Sequence, residues 1–162
     1  MSVKYRPISE ADYEWVVSQM TEQWGSELVV AHGQAYYPGR LPGFVAVQDG
    51  QSVGLVTYHI KAESCEIVTL HSLQPGQGIG TRLVEHAKQA ARHAGCRRLW
   101  LITTNDNLTA LRFYQKRGFH LVAVHPGAVN ESREIKPSIS EIGLDGIPIR
   151  DELVLELDLS AA

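Results

Sequence analysis

The order of apolar and polar residues along the chain predicts strands and helices in alternation. The clearest signal is a hairpin, in which Asp49-Gly50 separates two runs of β-forming residues, 44–48 and 51–60. Asp-Gly is a strong turn signal at such a position, because both residues tolerate the positive φ angles of a tight hairpin turn. A third strand, 64–73, is predicted after a polar break.

A glycine-rich turn at 75–80 and a helix follow this third strand. Between 81 and 94 apolar residues recur at helical spacing, and Gly95 is suited to cap the end of that helix. Near the N-terminus, Ser9 and Asp12 form the pattern of a capping box ahead of a second helical segment. Residues 21–42 fit a helix, a strand or a loop, and the pattern leaves this region open.

The remaining elements are read from shorter patterns. They are strands at 2–6, 99–103, 119–124 and 152–159, and a helix at 107–117. Together these elements predict an α/β fold with a mixed sheet, in one domain that covers residues 1–162. The central strand–helix–strand unit should be a right-handed parallel crossover, since nearly all such crossovers are right-handed.

Composition places the chain among ordinary globular proteins, with 44% hydrophobic residues and a formal net charge of −3. Lys and Arg are scattered rather than clustered, which argues against a nucleic-acid partner. Apolar runs reach only about four residues, far short of the roughly 20 that span a bilayer. Neither a membrane segment nor a signal peptide is therefore predicted, and the expected location is the cytoplasm. The sequence leaves a monomer and a homodimer open.

Cysteines and histidines give no sign of a metal site or a disulfide. Cys65 and Cys96 lie in apolar surroundings and are expected to be buried free thiols. The histidines other than His71 show no spacing typical of metal ligands, so no metal is predicted.

The segment Pro75-Gly76-Gln77-Gly78-Ile79-Gly80-Thr81 carries a candidate ligand site between a strand and a helix. Glycines let the backbone approach a ligand closely, and the N–H groups at a helix start attract phosphate. The pattern predicts a phosphate or pyrophosphate site; the alternative is a tight turn that only needs small residues. No lysine precedes Thr81 as a Walker loop requires, and the two-residue glycine spacing differs from a dinucleotide fingerprint.

Two segments resemble a known family. Residues 70–84, Leu-His-Ser-Leu-Gln-Pro-Gly-Gln-Gly-Ile-Gly-Thr-Arg-Leu-Val, resemble the acyl-CoA signature of the GNAT superfamily of N-acyltransferases. Residues 107–119 resemble the second motif of that superfamily, with Asn107, Ala110, Tyr114 and Gly118-Phe119 at the expected spacing. The first motif has Pro75 where an Arg or Gln is usual. The resemblance implies a GNAT fold, a mostly antiparallel sheet with one parallel crossover and flanking helices.

The same resemblance implies acetyl-CoA as acyl donor and an amine as acceptor. The pantetheine arm would lie in a gap between two splayed strands, and main-chain amides of the glycine turn would bind the pyrophosphate. The residues expected to contact acetyl-CoA are Leu70, Ser72, Leu73, Gly76, Gln77, Gly78, Ile79, Gly80, Thr81, Asn107 and Tyr114.

Three residues are candidates for proton transfer. Tyr114 is the candidate general acid, because a phenol can share a proton with the departing CoA thiolate; the alternative is a core aromatic side chain. Glu66, a carboxylate in an apolar strand, is the first candidate for the base that deprotonates the amine. It is similar in placement to the strand glutamate of the histone-acetylating branch, and a pairing with arginine or exposure at a strand edge is its alternative. His71 is the second candidate base, with a structural role as its alternative.

The predicted reaction is direct attack of a primary amine on acetyl-CoA, because neither cysteine lies in a motif that would activate it as a nucleophile. A catalytically inactive CoA-binding module is the alternative function. Residues 136–152 are a candidate substrate-side loop. Within it, Arg150 would suit a substrate with a carboxylate, and an ion pair with Asp151 or Glu152 is the simpler reading.

Overall fold

The computed structural model describes residues 2–160 and contains strands and helices in the alternation that the sequence predicts. The strands are β1 (Lys4–Pro7), β2 (Val29–Ala31), β3 (Gln34–Tyr36), β4 (Gly43–Gln48), β5 (Gln51–Lys61), β6 (Ser64–Ser72), β7 (Arg98–Thr104), β8 (His120–His125) and β9 (Glu152–Asp158). The helices are α1 (Tyr13–Trp24), α2 (Ile79–His93), α3 (Leu108–Gln115) and α4 (Ala128–Ile135).

Seven strands form one mixed sheet in the order β1-β4-β5-β6-β7-β9-β8. Its β6–β7 pair, joined by α2, is parallel, and the other neighbouring pairs are antiparallel. The predicted mixed α/β fold is therefore confirmed. The predicted β4–β5 hairpin turns at Asp49 and Gly50, whose φ angles of 52° and 77° suit a tight hairpin turn.

Helices cover both faces of the sheet. The apolar stripe of α2, which includes Leu83, Val84 and Ala87, packs into one buried cluster with Val56 and Leu99 of the sheet. On the opposite face Val16 and Met20 of α1 pack against Val45 and Leu55. Burial of this apolar surface provides the main stabilisation of the layered fold.

The structure fills the region that the sequence pattern left open and differs from the predicted elements in two other places. Residues 21–42 contain the end of α1 and the small two-stranded sheet of β2 and β3. Helix α2 begins at Ile79, two residues earlier than expected, because Gly78 takes the left-handed conformation and forms its N-cap. Helix α4 had no prediction; it begins after Gly127, whose φ of 73° lets the chain turn directly out of β8.

Two local predictions are confirmed. The capping box is present, with the Ser9 N–H donating to Oδ2 of Asp12 at 2.8 Å, although it starts a short 3-10 turn just before α1. Cys65 and Cys96 are buried free thiols. No helix within residues 2–160 has the length and apolarity needed to cross a membrane.

Candidate active site

A cleft opens where β6 and β7 separate. The two strands are paired from Ser64 opposite Arg98 to Ile67 opposite Leu101, and the pairing ends there. A β-bulge in the β5–β6 register follows at once, since Tyr58 pairs with Ile67 but Thr57 with Thr69. A bulge bends a strand and increases its twist. The bend turns the end of β6 away from β7 and leaves a cleft of about 660 Å³ between them.

The backbone of β6 borders this cleft, and some of its N–H groups are not used in hydrogen bonds to β5. The Leu73 N–H donates to the carbonyl of Val53 on β5 at 2.8 Å, so this amide is already engaged. Because successive amides of a strand point to opposite sides, those of Leu70 and Ser72 point away from β5, towards the gap. Of the three backbone contacts expected on β6, Leu70 and Ser72 therefore have suitable amides and Leu73 does not.

The glycine turn lies at the N-terminus of α2 with its backbone exposed. Gly76 and Gly78 have φ angles of 83° and 74°, which explains why glycine stands at both positions. The first helical hydrogen bond joins the Arg82 N–H to the Gly78 carbonyl at 3.1 Å. The N–H groups of residues 79–81 precede it and have no helical partner. The Ile79 side chain is buried in the core, so the predicted contact at this residue is confined to its backbone.

A cation that sequence reasoning missed stands beside this turn. Arg117 donates from Nε and Nη2 to the Thr81 hydroxyl at 3.0 and 2.6 Å and from Nη1 to the Phe113 carbonyl at 2.7 Å. Its guanidinium carbon lies 3.6 Å from the centroid of the Phe113 ring. Arg117 precedes Gly118-Phe119 of the second motif, but a basic residue near a helix end is too common to single it out.

Glu66 lies at the base of the cleft, almost fully buried at 4% exposure. Its neighbours Cys65 and Ile67 belong to the α2-side core, so Glu66 points to the opposite face, in a cross-strand row with His59 and Trp100. Within residues 2–160 Glu66 forms no ion pair with an arginine, and it does not lie at an exposed strand edge. Its hydrogen-bond partners come from the β2–β3 hairpin.

Those partners are Tyr36 and His32. The Tyr36 hydroxyl lies 2.9 Å from Oε1 of Glu66, and Nε2 of His32 lies 3.2 Å from both carboxylate oxygens. The hydrogen bond to Glu66 raises the pKa of His32 against the opposing effect of burial. Burial, followed by the hydrogen bond to Glu66, raises the pKa of the Tyr36 hydroxyl.

His32 is the second residue that sequence reasoning missed. It has a φ of 43° and, with Gly33 at 75°, forms the turn between β2 and β3. Its N–H lies 3.2 and 3.3 Å from the two carboxylate oxygens of Glu152. A residue followed by glycine between two short apolar runs is a weak hairpin signal, and it was available in the sequence.

Tyr114 and Asn107 both line the cleft. The Tyr114 ring contacts Phe113 and Phe119 edge-on, and burial raises the pKa of its hydroxyl. Asn107 is the N-cap of α3, its Oδ1 accepting from the Ala110 N–H at 3.1 Å. Asn107 therefore fixes the start of the helix that carries Tyr114.

His71, the second candidate base, lies away from this group. It pairs with Leu55 on β5, which packs against α1, and it is not part of the cleft lining among the described residues. Burial lowers the pKa of the His71 ring. The structure thus brings Glu66 and Tyr114 to one cleft and leaves His71 outside it.

The far end of the cleft carries another buried carboxylate. Glu152 is 3% exposed and lies 3.5 Å from the Ser132 hydroxyl in addition to its contact with the His32 backbone. Lys136 also lines the cleft, and its Nζ donates to the Leu28 carbonyl at 2.8 Å; burial lowers the pKa of this amine. Within residues 2–160 no group of three or more His, Cys, Asp or Glu side chains is arranged to hold a metal ion.

The candidate substrate-side loop does reach the cleft. Its lining residues are Lys136, Ile139, Ser140, Ile142, Gly143, Leu144, Ile149 and Glu152. Asp106, buried after β7, accepts from the Leu144 N–H at 3.0 Å, and a Cβ on Gly143 would lie 2.1 Å from Oδ2 of Asp106. Arg150 forms an ion pair with Asp151 at 2.9 Å, which is the simpler of the two readings considered for it.

Comparison with known proteins places these features in context. The model of the acetyltransferase (GNAT) family matches residues 10–119. The uncharacterized protein YdhI of Bacillus subtilis (strain 168) is 40% identical over 149 residues, which cover 91% of this chain and 93% of YdhI.

Among solved structures, the IAA acetyltransferase from Bacillus cereus ATCC 14579 has a TM-score of 0.77 and 26% identity, covering 97% of this chain and 99% of its own. A GNAT family acetyltransferase from Elizabethkingia anophelis, solved with acetyl-CoA bound, has a TM-score of 0.71 and 17% identity, with 96% and 97% covered. The second likeness is one of fold.

Proposed function

The chain belongs to the GNAT acetyltransferase family, and we propose that it transfers the acetyl group of acetyl-CoA to a primary amine by direct attack. One observation carries this proposal. A cleft between two splayed strands is lined by Leu70 and Tyr114 and by two carboxylates, Glu66 and Glu152, that are almost fully buried, and the exposed glycine turn follows the end of the same strand β6. Such a cleft accommodates an anionic donor and a cationic acceptor from opposite sides.

The glycine turn fits the pyrophosphate of CoA. The N–H groups of residues 79–81 have no helical partner, and the partial positive charge of a helix N-terminus favours an anion. Arg117, held against Thr81, adds a full positive charge beside the turn. Arg117, in the turn after α3, would thus compensate for the Arg or Gln side chain that Pro75 replaces.

The pantetheine arm and thioester fit along β6. The amides of Leu70 and Ser72 point towards the gap, and Leu70 lines it. A backbone N–H at this position can hold the thioester oxygen as negative charge develops on it during attack. Tyr114 lines the same cleft and would give its proton to the departing thiolate.

The acceptor side favours an amine that arrives as an ammonium ion. Glu66 and Glu152 are both buried, and within residues 2–160 neither forms an ion pair with Lys or Arg. An ammonium group would supply the positive charge that these carboxylates lack. An amine with a pKa near 10.4 is neutral in only about one molecule in 2,500 at pH 7. Glu66 would therefore remove a proton from the ammonium group before the amine attacks.

A covalent acyl-enzyme is disfavoured by the state of the thiols. Burial raises the pKa of Cys65 to about 12 and also raises the pKa of Cys96, so both stay protonated and unreactive at neutral pH. Neither cysteine lines the cleft among the described residues. The amine would therefore attack the thioester directly.

The test is release of CoA thiol from acetyl-CoA in the presence of single amines. A suitable panel contains spermidine, L-lysine, tyramine, a tripeptide with a free N-terminus, and L-glutamate. We expect turnover with at least one amine, N-acetylated product by mass spectrometry, and L-lysine preferred over L-glutamate, whose extra carboxylate is repelled by Glu66 and Glu152. Tight acetyl-CoA binding with no release in any arm would favour the CoA-binding module instead.

A further inference from the structure

Glu66 and His32 connect the acceptor end of the cleft with solvent. Nε2 of His32 lies 3.2 Å from both carboxylate oxygens of Glu66. Glu66 lines the cleft and its side chain is 5% exposed. The side chain of His32 is 25% exposed, so His32 is the member of the pair that reaches solvent. We propose that they act as one proton-accepting pair, in which Glu66 takes the proton of the acceptor amine and His32 passes it to water. This inference rests on the proposed function.

The backbone of His32 is held in an uncommon conformation that fixes its ring on Glu66. A φ of 43° is unfavourable for residues with a Cβ, and glycine or asparagine would satisfy the turn with less strain. Glu152 binds the His32 N–H with both oxygens, and the ring packs 5.4 Å from Trp100. Histidine is one of the few residues enriched at such angles, so the turn accepts it, and the contacts with Glu152 and Trp100 hold its ring against Glu66.

Proton balance shows why such an exit is needed. An ammonium acceptor and acetyl-CoA give an amide, CoA thiol and one proton, which must leave the cleft. The ammonium N–H bond breaks and the proton moves to a Glu66 oxygen, then to Nε2 of neutral His32, whose own hydrogen is on Nδ1. The resulting imidazolium gives its Nδ1 proton to water. Exchange with water then returns the ring from the Nε2–H to the Nδ1–H tautomer, so both residues recover their starting charge and protonation site. Glu66 alone would have to release its proton back into the closed cleft.

The charges around His32 set the pH range of this step. Glu66 and Glu152 face it as carboxylates, and the Tyr36 hydroxyl lies 3.4 Å from Nε2, with the His59 ring next to Tyr36. The pKa of His32 is raised from its ordinary value of 6.5, chiefly by the hydrogen bond to Glu66. Neutral His32 is the accepting form, so the reaction slows as the pH falls through this raised pKa.

The experiment is the pH–rate profile of the wild type and His32→Asn with the fastest amine of the panel. Asparagine accepts the left-handed turn, keeps the N–H for Glu152 and does not titrate. We expect kcat to fall about 100-fold, at the lower end of what acid–base catalysis contributes, and the acidic limb to move to lower pH. The KM for acetyl-CoA should stay unchanged.

Two further variants distinguish proton transfer through His32 from a purely structural role of this residue. Tyr36→Phe removes the other hydrogen bond to Glu66 but keeps the titrating ring of His32, so this variant should lose much less of kcat than His32→Asn. His32→Gly leaves space for a free ring, so added imidazole should restore part of its rate. Unchanged rate and limb in His32→Asn, or no rescue of a folded His32→Gly, would overturn the proton path. A wild type that acetylates none of the amines would instead count against the proposed function.

Discussion

Glu66 combines deep burial with the absence of a Lys or Arg partner within residues 2–160. A buried carboxylate is costly unless hydrogen bonds compensate for lost water. The Tyr36 hydroxyl supplies one, and His32 supplies another when it is protonated; both lie on one short hairpin. These donors stabilise the ionised form without neutralising it permanently, which suits a group that must bind an ammonium ion and take its proton.

Tyr114 is the residue on which protonation of the leaving thiolate depends in this account. Tyr114→Phe should lower kcat about 100-fold while the Kd for acetyl-CoA changes little, because only a proton donor is lost. The ring contacts with Phe113 and Phe119 remain, so stability should change by no more than about 1 kcal/mol. Steady-state kinetics and acetyl-CoA titration measure the two effects.

Tyr58→Phe is the matched control for this substitution. Tyr58 is buried in the same core cluster as Tyr114 and does not line the cleft. Its variant should keep the wild-type kcat. Equal losses in both variants would indicate a packing effect, and full activity in Tyr114→Phe would remove its role as acid.

Strands and helices whose signals lie within a few neighbouring residues could be predicted from the sequence. Those that are held in place by residues far away in the chain could not. The β4–β5 hairpin and the stripe of α2 carry their signals within a few residues. The β2–β3 hairpin has only three residues in each strand, and its anchor, Glu66, lies 34 positions from His32. No pattern among neighbouring residues predicts such a contact. The same limit applies to the candidate site: Glu66 stands out in an apolar strand, whereas His32 does not.

A buried carboxylate holds one part of the loop 138–149 beside the cleft, while Arg133 and Asn105 hold other parts. Both oxygens of Asp106 accept hydrogen bonds, from the Thr104 hydroxyl and the Leu144 N–H. Asp106→Asn replaces one acceptor by a donor, so the hold on Leu144 should weaken at a cost of about 1–3 kcal/mol. We expect a raised KM for the acceptor amine and little change in acetyl-CoA affinity, measured by kinetics and thermal unfolding.

Asp145→Asn provides the control in the same loop. Asp145 is exposed with a φ of 58°, a conformation that asparagine tolerates. Its variant should behave as the wild type. A normal acceptor KM in Asp106→Asn would mean that the loop does not contribute to the acceptor site.

At the scale of the whole molecule, a positive surface beyond the end of β6 stands apart from a negative region inside the cleft. The start of α2 and Arg117 give a positive end, and Glu66 with Glu152 gives a negative end. The gap where β6 and β7 separate lies between them. This arrangement brings a phosphate-bearing donor and an ammonium-bearing acceptor together from opposite sides.

Thermal unfolding with acetyl-CoA tests the central claim of this account most directly. A ligand at 100 times its Kd stabilises the folded state by about 2.7 kcal/mol. For a chain of this size that raises Tm by roughly 5–10 °C. We predict such a shift at micromolar acetyl-CoA and a much smaller one with ATP or NADH. No shift with acetyl-CoA, or an equal shift with ATP, would contradict the account.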